Sequence, residues 1–210
     1  MSRLFIAFVK LTGFIPQALI LRTKIYYEDK KVQSRRIKGK AIIMSNHTSV
    51  YDFALYLFVF FFRTLRFQMA EVLFQKKLLS LFLKLMGGIK VDRNSHDFSF
   101  IDKSSKILNK NGVVGVFPES RLPKEGEETP LEFKPSIAYL ALNSDTKIIP
   151  VYTTGGYFKK RLKVMIGKPI DVSLYLDSNK NEKENINIIT NVLREKIIEL
   201  RDLLNEREKK

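Results

Sequence analysis

Ala41-Ile42-Ile43-Met44-Ser45-Asn46-His47-Thr48-Ser49-Val50-Tyr51-Asp52 is the stretch on which the fold turns. Its first four residues are apolar without a break, and short enough for a strand buried on both faces by covering helices. Polar, turn-forming residues follow, and Phe53 to Arg63 then reads as a helix. Strand, turn and helix in that order open an α/β unit, and active groups in such folds sit beyond the carboxyl ends of strands. His47 falls at that position.

Outward from it, Glu28 to Lys40 is a polar, basic connector with a turn at Gly39. Upstream lie two apolar pieces, Leu4 to Val9 and Phe14 to Leu21, separated by Lys10 and carrying Pro16. Downstream, Met69 to Met86 has apolar residues at near-helical spacing and stops at Gly87-Gly88. Ile89 to Val91 reads as a strand, Asp97 to Asn109 as an amphipathic helix, and Val113 to Phe117 as a second buried strand. Pro135 to Leu142 reads as a helix, Lys147 to Tyr152 and Leu162 to Ile166 as strands, and Glu182 to Arg207 as a long charged helix with one apolar stripe. The pattern predicts a single α/β domain over residues 28–210, a mixed sheet covered by helices, preceded by an N-terminal helical arm over residues 1–27.

The 210 residues carry 37 Lys plus Arg against 22 Asp plus Glu, a net charge of +15. Such a field favours polyanions: nucleic acid, an anionic membrane face or phosphorylated substrates. Sixteen Phe and no Trp tilt that choice toward lipid. The absence of cysteine excludes a disulfide framework and a thiolate metal site. The longest unbroken apolar run, Phe53 to Phe62, ends at Arg63, short of the roughly 20 residues that span a bilayer. Lys10 interrupts the N-terminal run, and no small-residue cleavage site follows it, so a signal peptide is not expected. The arm is expected to be one or two short helices lying in the membrane interface, with Arg3, Lys10, Arg22 and Lys24 reaching phosphates. The alternative is a helical pair packed on the domain's own core.

The two histidines limit the places where imidazole can act. His96 reads as an exposed residue before a helix, without a role. His47 and Asp52 are five residues apart, which on a regular helix would turn them about 140° from each other. They meet only if His47 lies on the turn before the helix and Asp52 in its first turn, with Ser49 as the N-cap. Asp52 then accepts the Nδ1 proton of His47 and leaves Nε2 free as a general base. The same Ser49-x-x-Asp52 spacing also reads as a helix-capping pattern. Two further strands deliver polar residues at their ends: Gly88-Ile89-Lys90-Val91-Asp92-Arg93 and Val116-Phe117-Pro118-Glu119-Ser120-Arg121. Arg93 and Arg121 are suited to clamp one phosphate, with Glu119 orienting a guanidinium or a substrate hydroxyl. The alternative is a structural ion-pair network. In Ile148-Ile149-Pro150-Val151-Tyr152-Thr153-Thr154-Gly155-Gly156, Pro150 and its apolar neighbours would line a wall, and the glycines permit close backbone approach.

In this order the four elements resemble the glycerolipid acyltransferase family, that of the 1-acylglycerol-3-phosphate acyltransferases. The resemblance runs from about Ala41 to Asp171: a full match in Asn46-His47-x-x-x-x-Asp52, close ones in Gly88 to Arg93 and Ile149 to Tyr152, and Phe133 to Tyr139 after the third element. Two departures touch acceptor recognition: Ser120 stands where the family carries glycine, and Met69-Ala70 lacks a lysine before Glu71-Val72-Leu73-Phe74. The resemblance implies catalysis by His47 and Asp52 without an acyl-enzyme, and substrate binding by Asn46, Arg93, Glu119, Ser120, Arg121 and Pro150. It implies a lysophospholipid acceptor and, as co-substrate, acyl-CoA or acyl carrier protein, with no metal or organic cofactor. The expected place is the cytoplasmic face of the cell membrane, as a peripheral or monotopic protein. A non-catalytic basic membrane-surface protein or a nucleic-acid-binding module is the rival. The latter explains the charge but neither the His–Asp spacing nor the apolar arm, so nucleic acid is not expected as a partner.

Overall fold

The computed structural model describes residues 2–92, 98–158 and 160–209. Helix α1 (Ser2–Leu21) leads into strand β1 (Lys24–Tyr27), and the connector brings the chain to β2 (Ala41–Ser45). Helix α2 (Asp52–Val59), β3 (Leu65–Ala70), a 3-10 turn (Glu71–Phe74), α3 (Lys77–Leu85) and β4 (Ile89–Val91) follow. Then come α4 (Ser99–Asn109), β5 (Val113–Val116), α5 (Ser136–Asn143), β6 (Ile148–Thr153), β7 (Lys163–Ile166), a second 3-10 turn (Val172–Tyr175) and α6 (Glu182–Lys209).

The seven strands form one sheet in the order β1-β7-β6-β2-β5-β3-β4. Every neighbouring pair is parallel except β6–β7, so the sheet is mixed, as expected. β2 is central, and its side chains alternate between two cores. Ala41 and Ile43 join the core under α1, α2 and α3, while Ile42 and Met44 join the one under α4, α5 and α6. All five of its residues are buried, which explains the uninterrupted apolar run, since each Ile side chain so buried contributes about 1.5–3 kcal/mol. Helix α6 covers the second face with Ile186, Ile189, Leu193, Ile197, Leu200 and Leu204.

Close packing shapes β5. A Cβ at Gly115 would lie 2.1 Å from the Phe67 ring, so the absent side chain lets that ring lie flat on the sheet. Phe117 then stacks on Phe67, with ring centroids 5.6 Å apart and 14° between planes.

Several expectations are corrected. Met69 and Ala70, expected to open a helix, close strand β3 instead: burial alternates strictly over Leu65–Ala70, and the α-helix of that stretch is confined to Lys77–Leu85. Lys24–Tyr27, assigned with the arm, pairs with β7 as an edge strand of the sheet. The arm itself is one continuous helix through Pro16. By length and composition Arg3–Leu21 is long and apolar enough to cross a membrane, with mean hydropathy 1.9, contrary to the run-length argument. Lys10 does not break it, because Nζ turns inward and donates to the carbonyls of Phe61 at 2.9 Å and Arg63 at 2.5 Å. Those carbonyls lie just past the end of α2, where a cation also suits the helix dipole. Burial pushes the Lys10 pKa down to about 8. Lys10 therefore clasps α1 to the domain and reaches no external phosphate.

Candidate active site

β2 ends at Ser45, and the chain leaves the sheet through Asn46. The Asn46 amide is committed on both sides: Nδ2 donates to the carbonyl of Thr153 and Oδ1 accepts from its N–H, each at 2.9 Å. Asn46 thus ties the ends of β2 and β6 together behind His47, and is 3% exposed. It holds the backbone of the site and leaves no amide group aimed outward, unlike the substrate contact expected of it.

His47 follows on the turn. Its Nδ1 lies 2.9 Å from Asp52 Oδ2, the meeting that the five-residue spacing allowed. The helix begins at Asp52 itself, with Tyr51 rather than Ser49 in the N-cap position and no side-chain cap. The Asp52 carboxylate is completely buried and has five donors. Oδ2 accepts from His47 Nδ1, from the Thr48 N–H at 2.7 Å and from the Ser49 N–H at 2.9 Å. Oδ1 accepts from the Thr48 hydroxyl at 3.1 Å and the Tyr157 hydroxyl at 2.6 Å. A buried charge is tolerable when so fully bonded. Asp52 thus ties down the turn before the helix and at the same time orients the imidazole.

The far side of the ring is arranged as closely. His47 stacks on Phe117, with centroids 4.4 Å apart and planes 16° apart. With one face against Phe117 and Nδ1 held by Asp52, the ring has little rotational freedom. Among the described residues no partner is found for Nε2, and the side chain is 18% exposed. The Tyr157 hydroxyl is pushed far above the usual phenol range by burial and by the charge of Asp52, so it stays protonated and acts only as a donor to the carboxylate. Tyr157 was not legible beforehand. It follows Gly155-Gly156, and Gly155, at φ +68°, approaches so closely that a Cβ would lie 3.0 Å from that of Thr48.

Glu119 sits at the end of β5 and is 4% exposed. Its oxygens accept from the His47 N–H and the Leu131 N–H, each at 2.9 Å. Burial raises its pKa above the ordinary glutamate range. It fixes the backbone at His47, and among the described residues no guanidinium bonds to it. Arg121 forms a bidentate bond to Glu127, at 2.6 and 2.9 Å. That pair is half exposed, so it holds weakly and leaves Arg121 able to exchange partners. Ser120 has φ +62°, the left-handed backbone that glycine adopts without strain, which explains why glycine suits the position. Arg93 lies outside the described residues, as does His96. Glu119, Ser120 and Arg121 line a cleft of about 1060 Å³ with Phe100, Lys134 and Tyr139. Pro150 lies inside the sheet on β6, its ring packed against Gly167, and lines neither that cleft nor the one beyond β7. The expected wall is a strand core.

The arrangement is an imidazole with one nitrogen fixed by a buried carboxylate and the other without a partner among the described residues, its backbone bonded to a carboxylate that lines a cleft. That is the apparatus of general-base catalysis on a hydroxyl. A family model described as Acyltransferase matches residues 24–154. The chain is 26% identical over 173 residues to a 1-acyl-sn-glycerol-3-phosphate acyltransferase of Borreliella burgdorferi, covering 77% of this chain and 66% of that protein. A Bacillus subtilis protein of the same name is 29% identical over 140 residues, covering 64% of this chain and 67% of its own length. The crystal structure of the 1-acyl-sn-glycerophosphate (LPA) acyltransferase PlsC from Thermotoga maritima shares the fold. Its TM-score is 0.60 at 19% identity, covering 93% of this chain and 78% of that one.

Proposed function

The chain belongs to the acyltransferase family, and from that premise we propose that it moves a fatty acyl group from an acyl thioester to the hydroxyl of a lysophosphatidate-type glycerolipid, a step of phospholipid synthesis. One observation carries the proposal: His47 is held at Nδ1 by Asp52, has no partner at Nε2 among the described residues, and bonds through its backbone N–H to Glu119, which lines the Ser120–Arg121 cleft. The acceptor hydroxyl gives its proton to Nε2 as its oxygen attacks the thioester carbonyl. The charge of Asp52 stabilises the imidazolium that forms. The C–S bond then breaks, and the departing thiolate takes the proton back. Transfer is direct, since the chain has no cysteine and His47 bonds to no serine hydroxyl among the described residues. Arg121, released from Glu127, and Arg93 hold the acceptor phosphate. The donor is acyl-CoA or an acyl carrier protein, and this route uses neither metal nor organic cofactor.

The proposed setting is the cytoplasmic surface of a membrane. Leu4, Phe8, Leu11, Ile15 and Leu19 recur at helical spacing on α1, and all are exposed. Leu78 and Leu81 of α3 are exposed as well, beside Phe5 of α1. Such a face suits the acyl boundary of a leaflet, flanked by basic residues at the phosphate level. A His47→Ala protein is expected to keep its fold and lose transfer to lysophosphatidate by at least a thousandfold, followed with labelled acyl-CoA. Retention of a tenth of the wild-type rate would remove His47 from catalysis.

A further inference from the structure

A two-substrate transfer needs a second site, and the sheet order shows where space for one exists. His47 lies on the turn just past the end of β2, and the Glu119–Ser120–Arg121 cleft lies on the β5 side of that strand. On the other side the strands run β6, β7, β1. β6 is parallel to β2 and ends beside it, whereas β7 and β1 run the opposite way and start there. Residues just before β1 and β7 therefore share the sheet edge with His47. Those residues are Arg22 and Thr23, and Lys160 and Arg161.

A second cleft, of about 960 Å³, opens at this place between α1, α2 and the start of β1. Arg22, Arg35, Lys160 and Arg161 all line it, and among the described residues no carboxylate does. None of the four forms an ion pair among the described residues. Two are held in place by backbone carbonyls: Arg35 donates to Val59 and Phe58 at 2.7 and 2.9 Å, and Arg161 Nε donates to Arg22 at 2.9 Å. Each keeps further guanidinium N–H groups for a ligand. Four uncompensated cations around one concavity repel one another, and an anion of several charges relieves that repulsion. Phe158 stands at the rim with its ring 62% exposed, set edge-on to Tyr51 at 5.3 Å. Tyr51 immediately precedes Asp52, so this ring contact joins the rim of the cleft to the turn that carries the catalytic pair.

We propose that this cleft takes the 3′-phosphoadenosine diphosphate end of an acyl-coenzyme A donor, with the phosphates among Arg22, Arg35, Lys160 and Arg161 and the base against Phe158. The thioester then approaches His47 from the β6 side, opposite the acceptor. This rests on the acyl-thioester reaction proposed above and adds the identity and place of the donor's carrier. A concave cationic site favours a small polyphosphate over the broad surface that an acidic carrier protein would need.

The test uses the full chain and 3′-phosphoadenosine 5′-diphosphate as probe, with binding followed by calorimetry. Wild type should bind it, and the Arg22→Glu/Lys160→Glu double variant should bind at least tenfold more weakly. In turnover the double variant should show a donor KM raised at least tenfold for acyl-CoA, with the acceptor KM within twofold. Flotation with vesicles containing phosphatidylglycerol should be unchanged. No probe binding by wild type, or equal binding by both proteins, would overturn the proposal. So would lost flotation with an unchanged donor KM, which would assign the cations to the membrane, or a defect confined to carrier-protein thioesters. Failure of the acyl-transfer reaction itself would appear separately, as no wild-type turnover with any thioester.

Discussion

Replacing Asp52 by Asn tests what the carboxylate does, because the structure dictates how the amide will sit. Oδ2 faces three donors that cannot become acceptors: the N–H groups of Thr48 and Ser49, and His47 Nδ1–H in the working tautomer. Oδ1 faces two hydroxyls, of Thr48 and Tyr157, and a hydroxyl can accept as well as donate. The amide oxygen therefore takes the Oδ2 place and the NH2 group faces the hydroxyls. The fold and the imidazole tautomer survive, and the negative charge is lost.

The cost then falls on the transition state, in which His47 becomes an imidazolium. Opposite unit charges about 4 Å apart attract by about 4 kcal/mol at an effective dielectric constant of about 20. At about 1.4 kcal/mol per tenfold, kcat should drop about a thousandfold. A substitution that also imposed the wrong tautomer would cost nearer 10⁴-fold. The assay is kcat on a water-soluble short-chain lysolipid, with nitrogen-15 NMR of the imidazole to read the tautomer. A loss under tenfold would show that the charge is not used. Protonation at Nε2 in the variant would show that the amide had turned the other way.

Gly155→Ala should destabilise the protein by about 1–3 kcal/mol, because it combines a positive φ with a Cβ placed 3.0 Å from that of Thr48. By displacing Thr48 it should also lower kcat, read by urea unfolding and turnover together. Ser120→Gly removes a left-handed strain of about 1–2 kcal/mol against an entropic cost of about 0.5–1 kcal/mol. A small rise in Tm is expected, and a fall would show that the Ser120 side chain contributes contacts that outweigh the strain. Leu11→Glu with Ile15→Glu places two charges on the exposed stripe of α1. These should abolish flotation with anionic vesicles while leaving turnover of a water-soluble lysolipid within twofold, and equal flotation would move the docking surface elsewhere.

The fold was legible wherever burial was two-sided. Ala41 to Met44 and Val113 to Val116 are apolar throughout because helices cover both faces, and runs of four residues suit a buried strand where the longer run from Phe53 forms a helix. It was illegible where one pattern suited two structures. Leu65–Ala70 alternates in burial, but the strand is followed at once by a 3-10 turn and a helix that share its apolar residues. Lys10 misled for a different reason. A charge inside an apolar run signals a break only if it must reach water, and the carbonyls past the end of α2 supply the solvation instead.

The candidate site was legible in its local half alone. Five residues joined by one turn can meet in few ways, so His47 and Asp52 declared their contact by spacing. Glu119 and Asn46 also lie where their motifs put them, but their oxygens and nitrogens face backbone groups 72 and 107 positions away. Nothing local to either residue predicts such a partner. The same holds for Tyr157, which completes the shell of Asp52 from 105 positions away. Its one local trace is Gly155-Gly156, where the backbone must come close to something. A motif thus announces that its polar groups are needed, and only the sheet, by bringing β2, β5 and β6 to one edge, decides whether they serve the ligand or the loop that presents it.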